Sequence, residues 1–211
     1  EVGTPNGMSS TDSHSFMVWV NYEASEDQSV AATLFGEHPA FAQSNVGLHY
    51  GFRGGDEKNQ MGMDFYNNNL FSSAKYPEDG WTFWAFTYNN STLERKIYRN
   101  GIVIASDVAS GPYSGDLNLV LGALSFNGGP LGEFFSGELD NISIFNQELR
   151  DDQISHYMHN NPIGDEEGLV AYWPVNPNGS NVLTDLSNNN NHGIIHGATW
   201  IQNTLDICCN D

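Results

Sequence analysis

The side chains with the clearest capacity for chemistry are the oxygen-rich residues of the run from Asp185 to Asn191. Calcium takes six to eight hard oxygens from carboxylates, amides and backbone carbonyls. Because a tight turn gathers such oxygens, Asp185 and Asn188 are predicted metal ligands, and calcium is the predicted cation. The alternative is an Asn-rich turn with left-handed residues that holds no metal.

Other residue types offer weaker chemistry. His156 and His159 lie three apart, and His192 and His196 flank a turn, but no Cys or acidic residue completes a zinc set beside either pair. The two cysteines, Cys208 and Cys209, are adjacent. They are candidates for intermolecular disulfides, and the alternatives are a strained ring between neighbours or free thiols.

The charge balance excludes two classes of partner. Seven Lys and Arg residues stand against 26 Asp and Glu, a formal net charge of -19. Nucleic acid and anionic membranes would be repelled, since such binding depends on basic residues that neutralise phosphates. No apolar run approaches the roughly 20 residues that a membrane span needs. A start at Glu1 without Met fits a mature form after signal removal, so the predicted location is secreted.

N-glycosylation is predicted if the source is eukaryotic, because an Asn two residues before Ser or Thr can accept a glycan. Tripeptides of this kind begin at Asn89, Asn90, Asn141 and Asn178.

Alternating apolar residues and tight-turn pairs predict an all-β chain with one short helix. The segment from Phe16 to Tyr22 is apolar on both faces, which is typical of a central strand buried on both sides. Asn100-Gly101 suits the two left-handed positions of a type I′ turn, and a change of phase near Asp140 predicts a bulge. Other predicted strands are 46–52, 61–66, 81–88, 117–122 and 138–145, and residues 97–105 are a predicted hairpin. One short helix is predicted from the helical spacing of Leu149, Ile154 and Met158.

Three landmarks follow one another in a familiar order: Trp81 to Tyr88, Ile97 to Gly101, and Phe135 to Phe145 with Ile154 behind it. Over roughly residues 15–158 this series resembles laminin-G-like and pentraxin-like domains of the concanavalin A-like class. The resemblance implies a two-sheet antiparallel jelly-roll sandwich with one short helix, secretion and frequent calcium binding. It also places Asp140 near the Asn-rich turn, so Asp140 is the third predicted calcium ligand.

The same class includes glucanases that carry the pattern Glu-x-Asp-x-Glu on one strand. Glu138 and Asp140 match its first two positions, but Ile142 replaces the last. Retaining hydrolysis needs two carboxyl groups about 5–5.5 Å apart, so the chain is predicted not to be an enzyme.

The chain divides into a laminin-G-like jelly roll over residues 1–163 and a C-terminal segment over 164–211. The stretches 168–174 and 193–200 resemble the strands with which such domains begin, whereas residues 1–13 are polar and short. We expect the segment to complete either its own sandwich or that of a neighbour, in which case repeated exchange makes a filament.

These features together predict a secreted, non-catalytic, calcium-binding module for extracellular structure or adhesion. If its C-terminal segment pairs with a neighbouring chain, strand exchange assembles the module into filaments. The alternative is a calcium-dependent carbohydrate-binding lectin. The predicted partners are accordingly copies of the same chain, or extracellular glycans and matrix.

Overall fold

A computed structural model describes residues 1–24, 32–37, 45–77, 80–125, 130–174 and 179–202. Its elements are β1 (His14–Tyr22), β2 (Ala32–Glu37), β3 (His49–Phe52), a 3-10 turn (Gly55–Glu57), β4 (Gln60–Asp64), β5 (Asn69–Lys75), β6 (Trp81–Tyr88), β7 (Glu94–Arg99), β8 (Ile102–Val108), β9 (Leu119–Leu121), β10 (Leu124–Ser125), β11 (Leu131–Gly132), β12 (Gly137–Phe145), α1 (Asp151–His159), β13 (Leu169–Trp173), β14 (Val182–Leu183) and β15 (Gly193–Ile194).

Two large antiparallel sheets face each other. One has the order β13-β12-β1-β6-β7-β8 and the other the order β5-β4-β3-β2-β9, while β10-β11 and β14-β15 form small separate pairs. This confirms the predicted jelly-roll sandwich. The main core lies between the two sheets and is rich in aromatic side chains, among them Phe16, Tyr50, Phe86 and Trp173.

The sequence pattern of β1 predicts its place correctly. It pairs with β12 on one side and β6 on the other. Phe16, Val18 and Val20 enter the core between the sheets, and Met17 enters a second cluster on the opposite face. A strand in the centre of a sheet with both faces covered has no side that favours polar residues.

The helix α1 covers that second face. Ile154 is fully buried against Phe145 and Leu149. The Tyr98 hydroxyl donates to Asp151 Oδ1 at 2.8 Å and ties the first turn to β7. No helix in the described ranges has the length and apolar character to cross a membrane.

Two local predictions are also confirmed. The pairing of β1 with β12 shifts register between Met17 and Trp19, and Asn141 has a φ of 47°, so the bulge lies next to Asp140. Asn100 and Gly101 both have positive φ, as a type I′ turn requires.

In the structure the C-terminal segment pairs within its own chain. The strand β13 lies beside β12 at the edge of the six-stranded sheet. Val170, Ala171 and Trp173 are buried in the core between the sheets. Farther along, Ile194 exchanges backbone hydrogen bonds with Glu1, and Gly3 bridges to Leu119 of β9, so residues 1–3 lie between the segment and the five-stranded sheet.

Candidate functional site

The outer face of the five-stranded sheet carries a compact set of polar side chains. Along β3, Tyr50 and Phe52 point into the core, which directs His49 and the following Arg53 outward. On β4, Met61 and Met63 point inward, so Asp64 faces outward and lies directly opposite His49. Strand alternation alone therefore places three ionisable side chains on one surface.

Two glycines open space between these side chains. Gly51 and Gly62 are direct partners across β3 and β4. A Cβ on Gly62 would lie 2.7 Å from Arg53 Cδ, too close for the arginine to keep its position. Since the glycine leaves that space free, the Arg53 guanidinium lies across the sheet, with its Cζ 5.1 Å from the centre of the Phe71 ring.

Arg53 connects the other charged groups. Its guanidinium lies 3.3 Å from Asp64 Oδ2 and donates to His49 Nδ1 at 2.6 Å. An arginine can only donate, so Nδ1 accepts and carries no proton. Burial, and next the positive charge of Arg53, lower the pKa of His49 to about 3, so the ring is neutral at physiological pH.

The two acids on this surface, Asp64 and Glu133, have raised pKa values, whereas the pKa of His49 is lowered. Burial raises the pKa of Asp64 to about 6, although Arg53 and Arg95 act to lower it. Burial also raises the pKa of Glu133, with Arg53 opposing and Asp64 reinforcing the effect. Glu133 Oε2 is 3.6 Å from His49 Nε2, beyond hydrogen-bond reach, and the neutral ring forms no ion pair with it.

Four buried polar atoms on this surface have no hydrogen-bond partner among the described residues: Thr33 Oγ1, His49 Nε2, Asp64 Oδ1 and Glu133 Oε2. An unsatisfied buried donor or acceptor costs about 1–3 kcal/mol, so a protein has little reason to keep four together for stability alone. We call Thr33, His49, Arg53, Asp64, Phe71 and Glu133 the outer-face cluster. Its mixed donors and acceptors beside one aromatic ring suit a ligand rich in hydroxyl groups.

The predicted calcium ligand Asp185 has a different set of partners. Its Oδ1 accepts from the backbone N–H groups of Tyr172 and Ser187, at 2.9 and 2.8 Å. Its Oδ2 accepts from the Ser187 hydroxyl and the Asn191 N–H, at 2.7 and 2.8 Å. The carboxylate is buried, and these four donors occupy its principal acceptor positions.

The Asn-rich run mostly presents its amide N–H groups to the protein. Asn189 Nδ2 donates to the carbonyls of Leu169 and Val170, and Asn191 Nδ2 donates to Val170 and Asn6. These bonds pair backbone carbonyls along β13. Asn190 has a φ of 57°, as the alternative of an Asn-rich turn expects.

The other two predicted calcium ligands, Asn188 and Asp140, have different surroundings from Asp185. Asn188 is exposed, and Asp140 is buried at the bulge of β12, where its Oδ1 accepts from the Asn141 N–H at 2.7 Å. Within the described ranges no group of three or more His, Cys, Asp or Glu side chains is placed to hold a metal ion. Calcium binding by Asp140, Asp185 and Asn188 stays a prediction.

The predicted glycosylation sites differ in accessibility of the amide. Asn89 Nδ2, the atom that a glycan would modify, donates to Glu148 at 2.7 Å. Asn90 Oδ1 and Asn141 Oδ1 accept from the hydroxyls of Tyr88 and Tyr172. Glycosylation stays a prediction at all of these positions. Asn178, Cys208 and Cys209 lie outside the described residues.

Comparison with known proteins identifies the family. A laminin G family model, described as the concanavalin A-like lectin/glucanases superfamily, matches residues 1–155. The chain belongs to this superfamily. A search of curated proteins gave no match.

Several solved structures share the fold of this chain at low sequence identity. A candidate carbohydrate binding protein from Bacteroides ovatus has a TM-score of 0.63 at 17% identity; the match covers 83% of this chain and 49% of that one, so the chain spans about half its length. A CBM40 module of a Ruminococcus gnavus sialidase, bound to α2,6-sialyllactose, has a TM-score of 0.52 at 15% identity and 69% and 82% coverage.

Domain 4 of an extracellular arabinanase from Geobacillus stearothermophilus, solved in complex with arabinotriose, is similar as well. Its TM-score is 0.53 at 20% identity, and the match covers 72% of this chain and 69% of that one. At these identities the likeness shows the jelly-roll fold alone.

Sequence reasoning did not identify the outer-face cluster. His49 and Asp64 lie in the two strands that the sequence predicts as a hairpin, and their polar side chains alternate with apolar ones. That alternation could have indicated a polar surface. The approach of Glu133 to His49 has no sequence signal, because it depends on how the segment after β11 crosses the sheet.

Proposed function

We propose that the chain is a non-catalytic carbohydrate-binding module and that its outer-face cluster binds a neutral oligosaccharide. The observation that supports this best is the group of four unpartnered polar atoms around Arg53. Sugar hydroxyls both donate and accept, so they can pair with the neutral His49 as well as with the carboxylates and Thr33 Oγ1. The superfamily and the glycans bound by two structural neighbours are consistent with this role.

The charges on the outer-face cluster favour a neutral sugar over an acidic one. Near pH 7.5 Asp64 is ionised, because its pKa is about 6, while His49 is neutral and the Arg53 guanidinium is positive. The charge of Arg53 is therefore already balanced by its partner Asp64, and the whole chain carries a formal charge of -19. A sialic acid carboxylate would meet like charges here, which disfavours its binding.

We assign binding without turnover because the paired carboxylates of a glycosidase are incomplete on β12. Ile142 occupies the position of the second glutamate, and its side chain is buried in the core between the sheets. Two positioned carboxyl groups are what glycoside hydrolysis ordinarily requires.

Calorimetry or NMR titration at about pH 7.5 tests the proposal with a panel that includes arabinotriose, other neutral oligosaccharides and α2,6-sialyllactose. We expect a neutral glycan to bind, and Arg53→Gln and Phe71→Ala each to weaken that binding by about tenfold or more, or about 1.4 kcal/mol. Arg150→Gln is the matched control, because Arg150 is exposed and forms an ion pair with Asp152 of α1.

Two results would contradict the proposal. One is the absence of binding by every neutral glycan at millimolar concentration while the protein is folded. The other is a neutral glycan that binds equally well to the wild type, Arg53→Gln and Phe71→Ala.

Secretion, adhesion and filament formation stay proposals from the sequence. Within the single chain of the structure, β13 pairs with β12. A glycan-binding module is compatible with that pairing.

A further inference from the structure

His49 and Glu133 bring two unpartnered polar atoms close together within the outer-face cluster. Glu133 Oε2 lies 3.6 Å from His49 Nε2, and neither atom has a hydrogen-bond partner among the described residues. The His49 side chain is only 9% exposed, and that of Glu133 is 18% exposed. Buried polar atoms ordinarily have a partner, and these two are just too far apart to bond each other. A ligand group that bonds both atoms would therefore satisfy the pair.

Arg53 decides which nitrogen of His49 carries the proton. Its guanidinium donates to Nδ1 at 2.6 Å, and a guanidinium has no acceptor atom. The ring is neutral, because burial and the charge of Arg53 lower the pKa of His49 to about 3. A neutral imidazole has one N–H group, and since Nδ1 accepts, that group is Nε2–H. Arg53 thereby makes Nε2 a donor beside Glu133 Oε2, an acceptor.

The backbone of Glu133 brings its carboxyl group to His49 in a conformation that glutamate rarely adopts. Its φ is 48°, in the left-handed region that favours glycine. Its carbonyl accepts from the Thr33 N–H at 3.0 Å, which fixes the residue beside β2. A glycine at this position would have the same backbone without the steric cost, so stability does not explain the glutamate. Backbone strain of this kind is common at binding sites.

We propose that His49 and Glu133 together recognise one hydroxyl group of the glycan, which accepts from His49 Nε2–H and donates to Glu133 Oε2. A hydroxyl group both accepts and donates, whereas an ether oxygen or a carboxylate only accepts. Because both atoms are buried, the Glu133 side chain, the more exposed of the two, has to turn outward to admit the hydroxyl oxygen. Arg53 is a positioning residue, since it sets the tautomer of His49. This assignment rests on the proposed function and names the group that the outer-face cluster selects.

Nitrogen NMR of the His49 ring in the free protein tests the role of Arg53 without any glycan. At about pH 7.5 we expect the Nε2–H tautomer in the wild type and a rise of the Nδ1–H tautomer in Arg53→Leu. An Nδ1–H or doubly protonated ring in the wild type would overturn the proposal, and so would an unchanged tautomer in Arg53→Leu. Since no ligand is needed, this result is independent of the proposed function.

Calorimetry with arabinotriose, or with another neutral oligosaccharide of the panel if that one binds instead, tests the shared hydroxyl group. His49→Asn keeps an acceptor for Arg53 near the position of Nδ1 but removes the Nε2 donor, and Glu133→Gly removes the carboxyl group while it keeps the backbone. We expect each variant to weaken binding about tenfold. The double variant should weaken it little further, because either change alone breaks the bridge. His49→Gln, whose amide reaches the position of Nε2, should recover part of the affinity.

Glu167→Gly is the matched control, because Glu167 is exposed in the connector before β13 and is not part of the outer-face cluster. Losses that multiply to about a hundredfold in the double variant would show that His49 and Glu133 bind separate groups. That result, or full affinity in Glu133→Gly, overturns this proposal while glycan binding itself stands. If no neutral oligosaccharide of the panel binds the folded wild type, the proposed function fails and this proposal fails with it.

Discussion

Asp64 has an environment that stability alone does not explain. Its side chain is buried, one oxygen lies 3.3 Å from Arg53, and the other has no partner among the described residues. Burial raises its pKa to about 6 despite two nearby arginines. A carboxylate that weakens the fold when ionised, yet faces a polar surface, has the character of a binding residue.

The first prediction concerns Asp64→Asn. A pKa raised in the folded state means that the stabilising contribution of Asp64 is present below its usual range near 4 and is lost as pH rises through about 6. We expect the wild type to lose up to about 3 kcal/mol relative to Asp64→Asn across that window. Thermal melts of both proteins from about pH 4 to 8 measure the difference, and a pH-independent gap would contradict the assignment.

Arg95 shows the opposite use of a buried charge. It is almost fully buried, forms a two-pronged pair with Asp107 at 2.9 and 2.6 Å, and donates to the carbonyls of Met63 and Asn68. Its Cζ lies 5.2 Å from the Phe65 ring. Every direction of the guanidinium is used internally, so this arginine is a structural link between β4, β7 and β8.

The second prediction is that Arg95→Met destabilises the fold by about 3 kcal/mol, because it leaves Asp107 and two buried carbonyls without their donor. Denaturant unfolding measures the change. Arg150→Met, at an exposed ion pair, should change stability by less than about 1 kcal/mol. Equal effects of the two substitutions would show that Arg95 does not have this role.

Among the elements, the Asn-rich segment shows where sequence reasoning reached its limit. An asparagine offers an oxygen and an N–H group with equal ease, so composition predicted oxygens for a cation. The structure uses the N–H groups of Asn189 and Asn191 to pair the carbonyls of β13. That choice depends on a strand edge contributed by another stretch of the chain, which local sequence does not show.

The third prediction is that Asp185→Asn destabilises the protein by roughly 2–3 kcal/mol. The new amide replaces one carboxylate oxygen with an NH2 group, which then faces either the Ser187 N–H that Oδ1 accepts or the Asn191 N–H that Oδ2 accepts. Because the protein supplies all four donors, the loss should be similar with and without calcium. Chemical unfolding in both conditions measures it, and a loss seen only in calcium would oppose this role.

The fourth prediction keeps the calcium hypothesis open to a direct measurement. If Asp140, Asp185 and Asn188 hold the ion, saturating calcium should stabilise the wild type by roughly 2–4 kcal/mol, because a ligand of the folded state shifts the unfolding equilibrium. A melting temperature unchanged by excess chelator would refute it.

Residue periodicity and turn residues were sufficient to predict the elements whose sequence pattern is strong. The central position of β1, the bulge beside Asp140, the Asn100-Gly101 turn and the helix near Ile154 follow from residue order. The sequence prediction omitted β2 and β5, whose short mixed patterns resemble those of turns. Since β2 contributes Thr33 and β5 contributes Phe71, the outer-face cluster could not be assembled from sequence.

For the molecule as a whole, the C-terminal segment and the sandwich form one hydrophobic core. Trp173 is fully buried, and its Nε1 donates to the Asn191 carbonyl at 3.0 Å. Val170 and Ala171 are buried beside it, and the connector is fastened by Glu166, which accepts from the N–H groups of Ile163 and Gly164. In the structure the residues of β13 therefore share one core with the strands of residues 1–163.

The last prediction is that a protein ending at Ile163 does not fold stably. It loses several large buried side chains, each worth roughly 1.5–3 kcal/mol, against a total stability of about 5–15 kcal/mol for an ordinary domain. It also exposes the edge of β12, a template for aggregation. Adding a peptide of residues 164–211 should restore folding, and circular dichroism with size-exclusion chromatography measures the recovery. A truncated protein that stays folded and monomeric would show that the segment completes nothing.

For the full chain, the short connector favours pairing within one molecule over exchange between molecules at low protein concentration. Fibres that form only at high protein concentration, and disappear on truncation, would show that the same strand also completes a neighbour.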